Sequence, residues 1–162
     1  TCESRADKLI FLCTSVGILV LDQLSKYYIR SNFAVGESLP VINEWVKLLY
    51  TENAGAAFGM LEGGRWVFVL ISSVFIVLAA LLYPRVQAFG WPIMVSLGFV
   101  VGGTVGNLID RVFRGTVTDF ISVKYFPAVF NVADSAIVVG SLVLIICIVF
   151  YPHRMEIPGA RQ

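Results

Sequence analysis

The sequence predicts an α-helical integral membrane protein: four transmembrane helices with a small β-sheet at one membrane face. Three observations carry that reading. Of the 162 residues, 57% are hydrophobic and 14% charged, and mean hydropathy is +0.82; soluble domains are roughly a quarter charged. The apolar residues gather in four stretches, each able to supply the ~20 helical residues that a bilayer requires. The polar residues that interrupt those stretches collect at one end of them.

The first span is placed at about 9–29. Its purely apolar part, Leu9 to Leu21, is too short to cross, and continuing through Leu24, Tyr27, Tyr28 and Ile29 gives the length. That continuation puts Asp22 and Lys26 at membrane depth. They stand four apart with the acid first, the favourable order for a helical ion pair, and read as a structural pair. No small-x-small cleavage site follows this stretch, so it is expected to be a retained span rather than a signal peptide.

The loop from Ser31 to Gly64 is not low-complexity linker. Trp45 to Tyr50 predicts a short strand, Thr51-Glu52-Asn53-Ala54-Gly55 a turn, and Ala56 to Met60 a return strand. The second span, 66–83, is bounded by Arg65 and by Pro84-Arg85. In the third, 91–109, Gly98, Gly102 and Gly106 recur every four residues, a small-residue face for close helix packing. Gly115 to Val123 is a further extended stretch. The fourth span, 132–151, is stopped by Pro152 and opens on Asn131 as N-cap, which places Asp134 at its third position. The whole chain, 1–162, reads as one domain.

An even number of spans puts both termini on one face, and the opposite face receives eight of the eleven acidic residues. Lysine and arginine divide five to seven between the terminal and loop faces, which leaves orientation undecided by charge. A net charge of +1 without a basic run predicts no nucleic-acid partner. The three cysteines give no disulfide framework: Cys13 and Cys147 lie in apolar segments and Cys2 near one end. The single histidine, His153, follows the last span. No metal site and no cofactor are expected, and no serine or cysteine has a histidine partner on the polar face.

Among the polar residues, Asp119 and Asp134 are the leading catalytic candidates. A carboxylate near hydrocarbon costs about 2.5–3.5 kcal/mol at a helix centre, so one placed there invites a functional reading. Two carboxyls in contact cannot both ionise easily, so one holds a proton while the other stays charged, and the pair can activate a water between them. Asp134 has a structural reading as well, since a carboxylate suits a helix N-terminus, and the two roles coexist. Asp110-Arg111 reads as an interfacial anchor or ion pair, and Asn53 beside Gly55 as turn chemistry. Two other classes stay open on these residues: an ion relay through Asp22, Asp119 and Asp134, and a non-catalytic lipid-binding protein.

Five segments together resemble one family. They are Asp22-Gln23-Leu24-Ser25-Lys26, Asn53 to Gly59, Gly103 to Arg111, Val117-Thr118-Asp119-Phe120-Ile121, and Phe130-Asn131-Val132-Ala133-Asp134-Ser135. Their order and spacing resemble the bacterial lipoprotein signal peptidases, also called signal peptidase II, from about Asp22 to the end of the fourth span. Thr118 departs mildly, standing where the family often has Val. The resemblance implies an aspartic endopeptidase of the bacterial cytoplasmic (inner) membrane, with cytoplasmic termini and the sheet and active site on the extracytoplasmic side. It implies Asp119 and Asp134 as the catalytic pair, with Asn53, Gly55, Asn107, Arg111 and Asn131 binding substrate or supporting them. Asp22 and Lys26 are the implied structural ion pair. The implied substrate is a lipidated prolipoprotein, cut just before its diacylglyceryl-modified cysteine. Membrane lipids are the other expected partner, and a monomer the expected state.

Overall fold

The computed structural model describes residues 2–55 and 64–150. It carries the expected architecture. Four long helices, α1 (Cys2–Asn32), α2 (Arg65–Val86), α3 (Trp91–Phe113) and α4 (Val132–Phe150), are each long and apolar enough to cross a membrane. Three short strands, β1 (Ser38–Ile42), β2 (Val46–Asn53) and β3 (Val117–Val123), form one antiparallel sheet in the order β1-β2-β3.

Helix α3 is the central element and packs on α1, α2 and α4. Lipid tails are as apolar as leucine, so helices in a bilayer gain little from hiding oily side chains and associate through close packing instead. The glycine row supplies that closeness. A Cβ built on Gly102 would lie 2.5 Å from the Ser15 carbonyl oxygen, and one on Gly106 2.5 Å from Asp22 Oδ2, so this row faces α1. Gly103 does the same against α4, where its Cβ would come 2.5 Å from the Ala133 carbonyl. Helix α2 buries no residue fully, and Leu70, Ile71, Leu78 and Leu81 stand exposed along it. An apolar surface of that extent belongs against acyl chains, where every helical backbone group is already bonded internally.

Three of the helices outrun the spans read from composition. α1 extends to Asn32 and α3 to Phe113. α2 continues through Pro84, which sits in its last turn, so only one ladder bond is lost before the Gln87 N–H closes the helix on the Tyr83 carbonyl.

The sheet differs from expectation in two ways. Thr51, Glu52 and Asn53 belong to β2 rather than to a turn, because they pair with β3: Thr51 faces Asp119 and Asn53 faces Val117. This long-range ladder overrides the local turn composition. The strand on the other side of β2 is β1, with Ser38 opposite Leu49 and Pro40 opposite Lys47, and a bulge between Pro40 and Ile42. Pro40 on an edge strand leaves no inner ladder donor missing. The expected return strand Ala56 to Met60 lies outside the described residues. Tyr50 and Phe120 bury against Ile29 near the end of α1, backed by Phe33, Leu48, Ile121 and Val132. That small core ties the sheet to the helix ends.

Gly106→Ala should lower thermal stability in detergent by about 1–3 kcal/mol, the usual cost of overpacking, despite the better helix propensity of alanine. Gly17→Ala, with open space around its Cβ, should leave the melting temperature level or raise it. Equal behaviour of the two variants would contradict the close approach of α1 to α3.

Candidate active site

The polar residues meet where the helix ends reach the sheet. β3 carries Asp119 inward, only 3% exposed. Asp134 stands in the first turn of α4, held by a reciprocal cap: its backbone N–H donates to Asn131 Oδ1 at 2.9 Å, and the Asn131 N–H donates to Asp134 Oδ2 at 3.1 Å. This is the capping geometry that the Asn131–Asp134 spacing predicts. The second carboxylate oxygen of Asp134, Oδ1, accepts from Asn107 Nδ2 at 2.8 Å. Asp119 is similarly held, accepting from Asn131 Nδ2 at 2.7 Å and from Asn53 Nδ2 at 3.0 Å.

Asn131, wholly buried, thus joins the two acids. Its amide nitrogen serves Asp119 and its amide oxygen and backbone N–H serve Asp134. Burial, and then the negative charge of Asp134, push the Asp119 carboxyl up to about 6, against the opposing pull of the Asn53 and Asn131 hydrogen bonds. Asp119 therefore takes up a proton at a higher pH than an ordinary carboxyl does.

A cavity of about 540 Å³ opens onto the acids. Asn53, Gly55, Asn107, Arg111, Asp119 and Asp134 line its polar end. Its apolar wall continues through Phe130 to Val138 and Val139 on the exposed side of α4, so the cavity runs out onto a lipid-facing helix surface. Arg111 donates to the Gly55 carbonyl at 3.3 Å and lies 4.8 Å from the centre of the Phe68 ring, linking α3, α2 and the loop after β2. The Gly55 N–H in turn donates to Asn53 Oδ1 at 2.9 Å, an Asx turn that aims the Asn53 amide nitrogen at Asp119.

Asp22 and Lys26 lie behind this wall rather than in the cavity. Both are 0% exposed and paired at 2.8 Å. The Lys26 ammonium also donates to Asp110 Oδ2 at 2.9 Å and to Asn107 Oδ1 at 2.9 Å. Of the two readings of Asp110, interfacial anchor or ion pair, the structure has the ion pair. Asp110 is buried, 1% exposed, and it completes the acceptor set of the lysine. The sequence held a signal for this: Gly103, Gly106, Asn107 and Asp110 fall three and four apart, on one face of α3. Arg30 was also not singled out. It lies 3.8 Å from Asp110 Oδ1 and donates to Thr118 Oγ1 at 3.1 Å.

The family profile described as Signal peptidase (SPase) II matches residues 14–150. The chain belongs to the signal peptidase II family. Among the similar proteins, the lipoprotein signal peptidase of Desulfitobacterium hafniense is 44% identical over 135 residues, covering 82% of this chain and 88% of its own. That of Moorella thermoacetica is 43% identical over 134 residues, covering 83% and 89%. A solved bacterial membrane enzyme superposes with a TM-score of 0.83 at 27% identity, over 90% of this chain and 91% of that one. Membership makes the chain a membrane-spanning peptidase.

Asp134→Asn should lower the titration of Asp119 toward the ordinary carboxylate range, because one of the two causes that raise it is the Asp134 charge. The carboxyl stretching band of the protonated acid, followed by infrared spectroscopy against pH, reads this directly. An unmoved band would mean that the two groups do not interact.

Proposed function

We propose that this signal peptidase II is an aspartic endopeptidase that removes the signal peptide from diacylglyceryl-modified prolipoproteins, cutting just before the lipidated cysteine, with Asp119 and Asp134 as the catalytic pair. The observation that carries the reading is the Asn131 bridge between a buried carboxyl, Asp119, and a half-buried one, Asp134, at the polar end of a cavity that continues onto lipid-facing helix. The lipoprotein signal peptidases to which the chain is similar support the substrate class.

In the resting site Asp134 is the charged member. Both its oxygens accept N–H donors, and it stands at the N-terminus of α4, where the helix dipole favours negative charge. Asp119, raised to about 6, is the member that takes up a proton more readily than an ordinary carboxyl and supplies it in the reaction. A water between them attacks the scissile carbonyl carbon and gives its proton to Asp134. The tetrahedral intermediate then collapses, the C–N bond breaks, and Asp119 passes its proton to the departing nitrogen. Asn53, half-buried at the cavity edge, is placed to steady the peptide or its developing oxyanion. Arg111, with one nitrogen on the Gly55 carbonyl, keeps further N–H groups for the peptide backbone.

The lipid has a physical role in this reading. Each methylene buried adds about 0.8 kcal/mol of membrane affinity, so a diacylglyceryl anchor confines the peptide to the layer in which the cavity opens. Binding energy from the acyl chains then helps align the scissile bond. Cytoplasmic termini and a site on the extracytoplasmic side of the bacterial inner membrane follow from a substrate that has already been exported, and the enzyme acts as a monomer.

Asp119→Asn and Asp134→Asn should each abolish cleavage while inserting and purifying like the parent, since each removes one proton-transfer group and little volume. Appreciable turnover by either would sink the two-aspartate mechanism. A matched precursor with an unmodified cysteine should be cut poorly or not at all, as read by gel shift beside its lipidated counterpart in the same detergent, and equal rates would reject the lipoprotein assignment. Reporter fusions between Pro84 and Gly90 should report cytoplasm and fusions near Arg114 the outer side; the reverse pattern would put the site on the wrong face for exported precursors.

A further inference from the structure

Each carboxylate oxygen of the pair faces a donor, and three of the four donors are asparagine amides. An asparagine side chain can rotate by half a turn and present its oxygen where its nitrogen was, at little cost in volume. Pointed at a carboxylate, that oxygen repels instead of donating. Something must therefore fix the direction of every amide, and a donor held against its oxygen does so.

Asn53 is fixed by the Gly55 N–H on its Oδ1, and Asn131 by the Asp134 N–H on its Oδ1, at 2.9 Å in each case. Both are backbone donors two or three residues along the chain. Asn107 has no such local donor. Its Oδ1 accepts from the Lys26 ammonium at 2.9 Å, from a helix 81 residues away, with Asn131 Nδ2 at 3.1 Å as a second donor. The ammonium has three N–H groups, no acceptor and no exposure to water, and its other two bonds go to Asp22 and Asp110.

We propose that Lys26 is a positioning residue: it fixes the Asn107 amide so that Nδ2 donates to Asp134, and Asp22 and Asp110 serve to hold the ammonium at that place. This goes beyond a structural ion pair and rests on the two-aspartate reading above. A structural pair only has to balance charge and fill space. A positioning residue has to donate to one particular oxygen.

The test compares two variants with equal charge and similar volume, Asp22→Asn/Lys26→Gln and Asp22→Asn/Lys26→Met, in the purified full chain with a lipidated prolipoprotein. Both remove one acid and one base, so the net charge of the cluster is unchanged and both leave Asp110 facing Arg30 alone. The glutamine amide can still donate to Asn107 Oδ1, whereas the methionine cannot. With similar melting temperatures, kcat of the Met variant should fall below that of the Gln variant by on the order of 100-fold, as a misplaced catalytic group does, with KM little changed. Equal kcat values would overturn the proposal. Should the pair fail to fold, Asn107→Asp decides. Lys26 would hold one oxygen and the other, with nothing to donate, would face Asp134, so kcat should collapse at a near-parental melting temperature. Parental turnover there overturns the proposal as surely. Active Asp119→Asn or Asp134→Asn enzymes would instead discard the aspartic reading itself, whatever the Lys26 variants do.

Discussion

A lysine ammonium with no access to water sits between α1 and α3, and much of the molecule is arranged around it. Left alone at that depth it would cost several kcal/mol, and removing one partner of such a buried pair typically costs 3–5 kcal/mol. Lys26 meets Asp22, Asp110 and Asn107, one acceptor for each of its hydrogens. Asp22 in turn accepts the Ala133 N–H at 3.0 Å, and Asp110 accepts the Thr118 N–H at 3.4 Å. The cluster therefore ties four elements at once: α1, α3, the start of α4 and β3. It also demands that α1 lie against a side chain-free stretch of α3, which Gly102 and Gly106 provide.

That arrangement explains how two acids from distant parts of the chain are brought to one cavity. Asp119 comes from a strand and Asp134 from a helix. Among the described residues their one direct bridge is Asn131, and its own position depends on the α4 cap, while β3 is set by its ladder with β2 and by the Ile29–Tyr50–Phe120 core. The rigid part of the site lies toward the helices. The wall toward the bilayer is built from apolar side chains such as Val138 and Val139, which make few directional demands. The groups that orient the two carboxyls and the apolar wall thus lie on opposite sides of one cavity.

Legibility in the sequence followed the range of the interactions. The spans were readable because hydropathy is local and lipid imposes it on every residue. The Asn131–Asp134 cap was readable because both partners fall within one helical turn, and the Asp22–Lys26 pair for the same reason. Asp119 and Asp134 were found through their chemistry and then through a family resemblance, since nothing local says that a strand residue and a helix residue will face the same cavity. β1 was missed: Ser38-Leu39-Pro40-Val41-Ile42 contains a proline and exposes every residue, so it shows none of the alternation that marks a half-buried strand. Thr51 to Asn53 looked like a turn because the strand that pairs with it lies more than sixty residues downstream. The burial of Asp110 required knowing that α1 and α3 touch.

The distance along the chain between Lys26 and its acceptors on α3 bears on how the protein is made. When α1 first enters the bilayer, α3 is not yet synthesised, for Asn107 follows 81 residues later. During that interval the i,i+4 pairing with Asp22 is the neutralisation that α1 carries within itself, and it lowers the cost of committing a charged helix to lipid before its neighbours arrive. One of the three ammonium bonds thus belongs to biogenesis as much as to the finished fold. The other two need α3, so the same side chain that pairs within α1 also marks its docking against α3.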